Sequence, residues 1–412
     1  MFFCSKAYCV YQGENCLGGA VLKALIVIDN LYVGGVATSL YNYLQYASKL
    51  MECTLLVFNK SGIDEKRLPD NVKILNPPAI LQLIGKNRSE LMVQSKSMAL
   101  LKIVLMIICK LTNGEFVRKL IFPFVKSIGE YDLAVSYAQD DSWKSISKGC
   151  NDYVIKKVNA KQKAAVVHCD YENFGGYDIK QVKIFSCFDK IICVSESCGR
   201  SFARCFPSLD SKVITCENFT DTNLIINNSH PAVQYPQDKV NFVSVCRLSV
   251  VKGLARTVSV FKQLCDKGFS NFTWTIVGDG PEYNNLINLI NDFKLQDKIF
   301  LVGNKNNPYP YIKNASAFLL PSYHEAAPMV YGESAVLGVP FLTTKTCSAV
   351  ELVENRGIGI VCENSEKGIY NMLEMIMSDK VDLKKFAGEK HNINEKAQAQ
   401  LASFVNSIEN LV

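Results

Sequence analysis

Short, almost uninterrupted apolar runs recur along the chain, and helical periodicity fills the gaps between them. Residues 23–29 (KALIVID) form the first run and end in a polar loop holding Gly34 and Gly35. Leu40, Tyr43, Leu44 and Ala47 then fall on one helical face, and 53–59 (CTLLVFN) is the next apolar run. Strand, glycine loop, helix and strand make the βαβ unit of a parallel sheet, whose strands read as continuous apolar runs because both faces are covered. Residues 132–138, 164–170, 190–195 and 212–216 supply further strands. The stretch 218–239 is polar, holds two prolines and shows little periodicity, so 221–239 reads as a linker. The pattern then restarts. Strands are expected at 240–246, 272–278, 298–303, 317–322, 340–344 and 357–362, and a helix at 252–267. Residues 393–412 read as a terminal helix with Ala397, Leu401, Phe404, Val405 and Ile408 on one face. The expected organisation is a disordered extension at 1–22, an α/β domain at 23–220, the linker, and a second α/β domain at 240–392 before that helix.

Composition supports folded domains throughout. Of 412 residues, 48% are hydrophobic and 20% charged, which is the balance of a globular chain. No apolar run reaches the roughly 18 residues of a membrane span, and residues 1–22 lack the order of a signal peptide. The net charge of +6 is too weak to imply a nucleic-acid partner. It is unevenly spread: residues 1–228 hold 27 basic and 21 acidic side chains, and residues 229–412 hold 18 of each. The sixteen cysteines include no CxxC pair, which points to small buried thiols in a reducing compartment.

Ligands of open α/β sheets bind beyond the carboxyl ends of the strands, so the polar residues there are the candidates. Arg247 follows the strand 240–246, and Lys252-Gly253 opens the next helix, so two cations flank one strand–helix turn and can grip a diphosphate. Gly278-Asp279-Gly280-Pro281 closes the following strand; its glycines let a ligand approach the backbone, but Tyr283 breaks any GxGxxG pattern. In 321–333 (PSYHEAAPMVYGE), Glu325 and Glu333 stand eight residues apart. Pro328 is expected in the first turn of a helix that carries Glu333 on its second. The amides around Pro328, Met329 and Val330 would then form an N-terminal phosphate site. In the first domain, His168 and Asp170 close the run 164–170. There is no Asp-x-Asp motif, and the adjacent Asp140-Asp141 reads as an exposed loop.

The order of these features resembles the retaining GT-B glycosyltransferases of glycosyltransferase family 4, also called glycosyl transferases group 1. The resemblance rests on the glycine loop, the mid-chain histidine, CRLSVVKG (246–253), VGDGP (277–281) and the Glu-x7-Glu element at 325–333, and is strongest over 240–362. It implies an α/β GT-B architecture, with two Rossmann-like domains facing across a cleft. The first would be the acceptor side, the second would bind the nucleotide-sugar, and the terminal helix would cross back to the first. It implies transfer of a sugar from a nucleotide-sugar, a UDP-sugar by family preference, to a saccharide or lipid-linked acceptor with retention of configuration and no cofactor or metal. The implied catalytic residues are His168 and Glu325. The implied donor-binding residues are Gly34, Gly35, Arg247, Lys252, Gly278, Gly280, Pro328, Met329, Val330 and Glu333. Two departures bear on the identity of the sugar: Ala326-Ala327 replaces the frequent Gly-Phe, and Cys347, Ser348 and Ala349 precede Glu351. A non-hydrolysing nucleotide-sugar epimerase and a non-catalytic sugar-nucleotide-binding protein are the alternatives on the same architecture.

The charge asymmetry gains meaning beside this resemblance. Residues 79–128 hold Lys86, Arg88, Lys96, Lys102, Lys110, Arg118, Lys119 and Lys126 against Glu90 and Glu115, around the twelve-residue apolar core 98–109. Cations and apolar surface together suit an anionic membrane surface. The expected location is cytoplasmic, peripheral on the inner face of the plasma membrane. The expected pathway is cell-surface polysaccharide biosynthesis, such as capsule or O-antigen assembly.

Overall fold

The computed structural model describes residues 21–139, 145–173, 179–231, 233–390 and 392–410. All but the last two residues of the expected extension 1–22 lie outside these, as does the Asp140-Asp141 pair. The described chain divides into two compact units: the first runs to Phe219 and resumes at Glu395, and the second is Thr220–Asn394.

Among the described residues the first unit holds a seven-stranded parallel sheet. Its strands are β1 (Lys23–Asn30), β2 (Glu52–Asn59), β3 (Lys73–Leu75), β4 (Ile128–Ser136), β5 (Val158–Val167), β6 (Lys190–Cys193) and β7 (Val213–Thr215), in the order β3-β2-β1-β4-β5-β6-β7. The second unit holds β8 (Val240–Val245), β9 (Phe272–Val277), β10 (Ile299–Leu301), β11 (Ala317–Leu320), β12 (Phe341–Thr344) and β13 (Gly359–Cys362), in the order β10-β9-β8-β11-β12-β13. Both orders reverse direction beside their first strand, between β1 and β4 and between β8 and β11, which is the Rossmann switch point. The apolar runs explain the central strands, since every residue from Ala24 to Ile28 and from Phe272 to Val277 is buried. Beneath the second sheet, Phe261 stacks on Phe272 with centroids 4.4 Å apart and packs beside Trp274, whose Nε1 donates to Ser244 Oγ at 2.9 Å. The buried indole therefore keeps its partner, as packing at this depth requires.

The structure corrects several expectations. Residues 222–228, within the stretch read as linker, form a helix: Asp221 caps it by accepting from the Leu224 amide at 3.0 Å, and Ile225 is buried. Polar Asn and Thr positions hid this short helix, whose signal is the cap rather than periodicity. The expected strand 164–170 ends at Val167, placing His168 just past the sheet, and begins six residues early, at Val158. The terminal helix is Glu395–Glu409; its expected apolar face is buried, and Lys396 pairs with Glu196 at 2.7 Å within the first unit. Two of the eight cations in 79–128 point inward. Lys102 is buried and donates to the Lys86 carbonyl, and Arg118 Nε is 2.6 Å from Asp152 Oδ2. Among the described residues no helix is long and apolar enough to cross a membrane.

Candidate functional site

In the second unit, the residues singled out by spacing meet at the carboxyl ends of β8 and β11. β8 turns at Cys246 and Arg247 into a short 3-10 turn, Val250–Lys252. β11 runs into Pro321 and Ser322, and Tyr323 is tied back by its amide to the Val251 carbonyl at 2.8 Å. These two turns place Lys252 Nζ 2.6 Å from Glu325 Oε1, with Ser322 Oγ donating to the same oxygen at 2.6 Å. The two charged side chains retain only 19% and 11% exposure. An ammonium has three donors, so Lys252 keeps two for an incoming anion. Arg247 is exposed and makes no ion pair among the described residues. A fixed ion pair beside an uncommitted guanidinium suits a ligand with both hydroxyls and phosphate oxygens.

The Glu-x7-Glu element differs from expectation in detail. The helix is Val330–Val336 with Met329 at its N-cap, so Pro328 precedes the helix and Glu333 lies in the first turn. Tyr331 and Gly332 donate in tight bonds to the Pro328 and Met329 carbonyls, at 3.2 and 3.1 Å. Such bonds consume amides a longer helix would leave exposed. The Met329 and Val330 amides have no acceptor among the described residues, which leaves a narrower anion-facing edge than the sequence suggested.

Gly278 and Gly280 are demanded by the protein itself. A Cβ at Gly278, where φ is 147°, would lie 1.9 Å from the Cys246 carbonyl oxygen, and one at Gly280 would lie 2.3 Å from that of Leu248. The loop thus packs against the Arg247 turn, with Leu248 N donating to Asp279 O at 2.9 Å. At Gly34 and Gly35, by contrast, an added Cβ would meet nothing closer than 3.8 Å. The fold leaves space there that it does not use.

That space opens on a cavity of about 350 Å³ in the first unit, at its own switch point. It is lined by the end of β1 (Ile28, Asp29, Asn30), by Gly34 and Gly35, by Gln139, and by Lys148 and His168. The helix Gly35–Ala47 begins on it with no side-chain cap and no acid in its first turn. His168 Nε2 is 3.0 Å from the Tyr137 carbonyl, and its amide donates to Gln139 Oε1 at 2.8 Å. A carbonyl only accepts, so Nε2 carries the proton and Nδ1 keeps its lone pair. Burial, with Lys148 nearby, pushes the imidazole down to about 4. Asp29 is also buried and its carboxyl is raised by desolvation, against the pull of Lys148 and a 2.6 Å hydrogen bond from Asn30. Sequence reasoning missed Asp29, Gln139 and Lys148; the signal for Asp29 was its position as the polar end of an apolar strand. Among the described residues no cluster of three His, Cys, Asp or Glu side chains could hold a metal ion.

The depressed His168 value makes a stability prediction. Between about pH 4 and pH 6.5 the unfolded chain binds the proton that native His168 refuses, so unfolding free energy rises with pH across that window. The contribution is complete above pH 6.5 and is lost as pH falls towards 4, by about 3 kcal/mol at most. Urea unfolding of wild type and His168→Gln from pH 4 to 7 measures it; parallel pH profiles would count against a neutral, half-buried imidazole.

The second unit's geometry coincides with a family match. Residues 226–400 match the glycosyl transferases group 1 family. That stretch contains the turns at Arg247 and Lys252, the 278–281 loop and both glutamates. An uncharacterized glycosyltransferase of Haemophilus influenzae is 28% identical over 48% of this chain and 52% of its own length. The putative colanic acid biosynthesis glycosyltransferase WcaL of Escherichia coli K12 is 28% identical over 43% of this chain and 47% of its own. The chain therefore spans about half the length of these curated relatives. Anabaena Alr3699/HepE, solved in complex with UDP, superposes with a TM-score of 0.62 over 95% of this chain and 99% of that one, at 15% identity. Likeness at that identity establishes the fold, GT-B, with its two Rossmann-like domains.

Proposed function

We propose that this protein is a retaining, family 4 glycosyltransferase that moves a sugar from a nucleotide-sugar, a UDP-sugar, to a saccharide or lipid-linked acceptor. The reading places it in cell-surface polysaccharide assembly, such as capsule or O-antigen synthesis. The observation that carries it is the Lys252–Glu325 pair, held at the ends of β8 and β11 beside the unpaired Arg247. The family match over the same residues and the colanic acid relative support it, and the UDP bound by the Anabaena protein of the same fold supports the nucleotide. In this reading Arg247 and Lys252 stabilise the departing diphosphate, Glu325 contacts the transferred sugar and Glu333 the ribose. Preorganised charge of this kind stabilises a leaving group without a metal. The acceptor oxygen bonds to the anomeric carbon as the bond to the diphosphate breaks, and a leaving phosphate oxygen takes the acceptor's proton on the same face. In the first unit, Gly34, Gly35 and His168 line a cavity of their own, where His168 is held neutral with Nδ1 able to accept, as the family's roles for these positions require.

The test is a panel of nucleotides and nucleotide-sugars read by thermal shift, followed by turnover with and without EDTA. A cognate ligand at 100 times its Kd adds about 2.7 kcal/mol and raises Tm by roughly 5–10 °C. No shift with any nucleotide would remove the reading, and abolition of turnover by EDTA would remove its metal-free mechanism.

The lipid-linked acceptor brings a second expectation, docking on the anionic inner face of the plasma membrane. Its support is one face of the helix Lys96–Leu111, where Leu100, Leu101, Val104, Ile107 and Leu111 are exposed while Ala99, Leu105 and Cys109 are buried on the other side. With Lys102 and Arg118 turned inward, six of the eight cations remain outside the core, so apolar insertion carries more of the binding than charge counting implies. The protein should float with vesicles containing phosphatidylglycerol, and Leu100→Glu with Leu111→Glu should cut binding at least tenfold. Equal flotation of that variant would sink the assignment of this face.

A further inference from the structure

Behind the Lys252–Glu325 pair sits a buried cation outside the ion pair. Arg256, on the first turns of the helix Leu254–Asp266, is 7% exposed. One guanidinium nitrogen donates to the Pro321 carbonyl at 2.7 Å and to Asn364 Oδ1 at 2.7 Å. Its carbon lies 3.7 Å from the centre of the Tyr323 ring. Asn364 closes the circuit, since its Nδ2 donates to the Tyr323 carbonyl at 2.8 Å. Nε is buried without an acceptor and lies against the Gly253 turn, where a Cβ would be 2.8 Å from it and 2.1 Å from the Pro321 oxygen. Arg256 therefore touches both turns that carry the pair: Val250–Gly253 with Lys252, and 321–325 with Glu325.

We infer that Arg256, with Tyr323 and Asn364, is a clamp that positions Glu325 and Lys252 for sugar transfer without touching substrate. A lone buried cation is costly unless it is paired or fully hydrogen-bonded. Arg256 makes no close ion pair among the described residues, Glu366 attracting it only at longer range, and Nε is unsatisfied, so its contacts are chiefly those to the 321–323 turn and Asn364. Its flat, donating guanidinium does what an aliphatic side chain cannot. It fixes the carbonyl of Pro321 and the plane of Tyr323 together, and so fixes the turn that presents Glu325. Productive geometry must hold to a fraction of an ångström, and a displacement of about 1 Å costs on the order of a hundredfold in rate.

The clamp rests on the proposed role of Glu325, so its test includes a measurement independent of turnover. Amide exchange over 322–327 should be at least tenfold faster in Arg256→Leu and in Asn364→Ala, with the rest of the second unit unchanged. In the same variants kcat should fall about 10- to 100-fold while the Kd of the nucleoside diphosphate stays within threefold. Arg256→Lys, which keeps charge but loses the flat guanidinium against the Tyr323 ring, should recover only part of either. Asn364 is exposed, so its variant carries the test if Arg256→Leu does not fold. Unchanged exchange in Asn364→Ala overturns the clamp, as does wild-type kcat despite faster exchange. Faster exchange in a protein that turns over no nucleotide-sugar overturns the functional reading and leaves the clamp standing.

Discussion

Lys252→Ala should lower kcat/KM for the nucleotide-sugar by a factor on the order of 10²–10³, the usual loss when one preorganised stabiliser of a developing charge is removed. Two causes act together. In the proposed reaction the departing diphosphate loses a cation, and Glu325, with 11% of its side chain exposed, keeps only the Ser322 hydroxyl. An unpaired buried charge costs about 3–5 kcal/mol, so the single variant should also be less stable. Lys252→Met with Glu325→Gln separates the two causes, because removing both charges restores stability and leaves transfer lost. Initial rates and urea unfolding on wild type and these two variants decide it. Wild-type kinetics in Lys252→Ala would end the donor-site assignment.

Gly278→Ala should destabilise the second unit by on the order of 3 kcal/mol, as forced overpacking against backbone does. The new methyl would lie 1.9 Å from the Cys246 carbonyl oxygen, at a φ of 147° that side chains rarely adopt. Neither backbone can yield easily, because Cys246 N donates to the Val277 carbonyl beside β8 and β9, and Gly278 N donates to the Gly303 carbonyl beyond β10. The alanine at Gly35, where nothing lies within 4 Å of the added Cβ, should leave stability nearly unchanged and act on ligand binding alone. Equal stability losses in the two variants would contradict this division between a glycine the fold needs and one it does not.

How much of this was legible in the sequence varied with the kind of interaction. Central strands were plain, since a run such as KALIVID has no amphipathic alternative. So was the family-like order Arg247, Lys252, Glu325, Glu333, because the residues at strand ends are short-range features of the chain. The inward turn of Lys102 and Arg118 was not legible. Charge counting treats a cation as solvated, and only tertiary contacts with the Lys86 carbonyl and Asp152 say otherwise. Arg256, Tyr323 and Asn364 were missed for the same reason, since they lie 67 and 41 positions apart in the sequence and carry no shared spacing. Gly278 was singled out as a ligand contact, and the sequence did not show that packing against Cys246 also requires a glycine there. The helix Val330–Val336 began two residues later than Pro328 suggested.

The second unit interrupts the first. Its two ends meet, with Thr220 N donating to Asn394 Oδ1 and Asn394 Nδ2 returning the bond to the Thr220 carbonyl, each at 2.8 Å. During synthesis, then, the first unit must wait for its last helix until all of Thr220–Asn394 has emerged. At ~5–20 residues per second that delay is roughly 10–40 s. Through it, the groups that Lys396 and Gln400 later occupy, Glu217 among them, stand uncovered. The nascent chain thus completes its second module before its first-made module is closed, an order of assembly written into where the chain crosses rather than into either sheet.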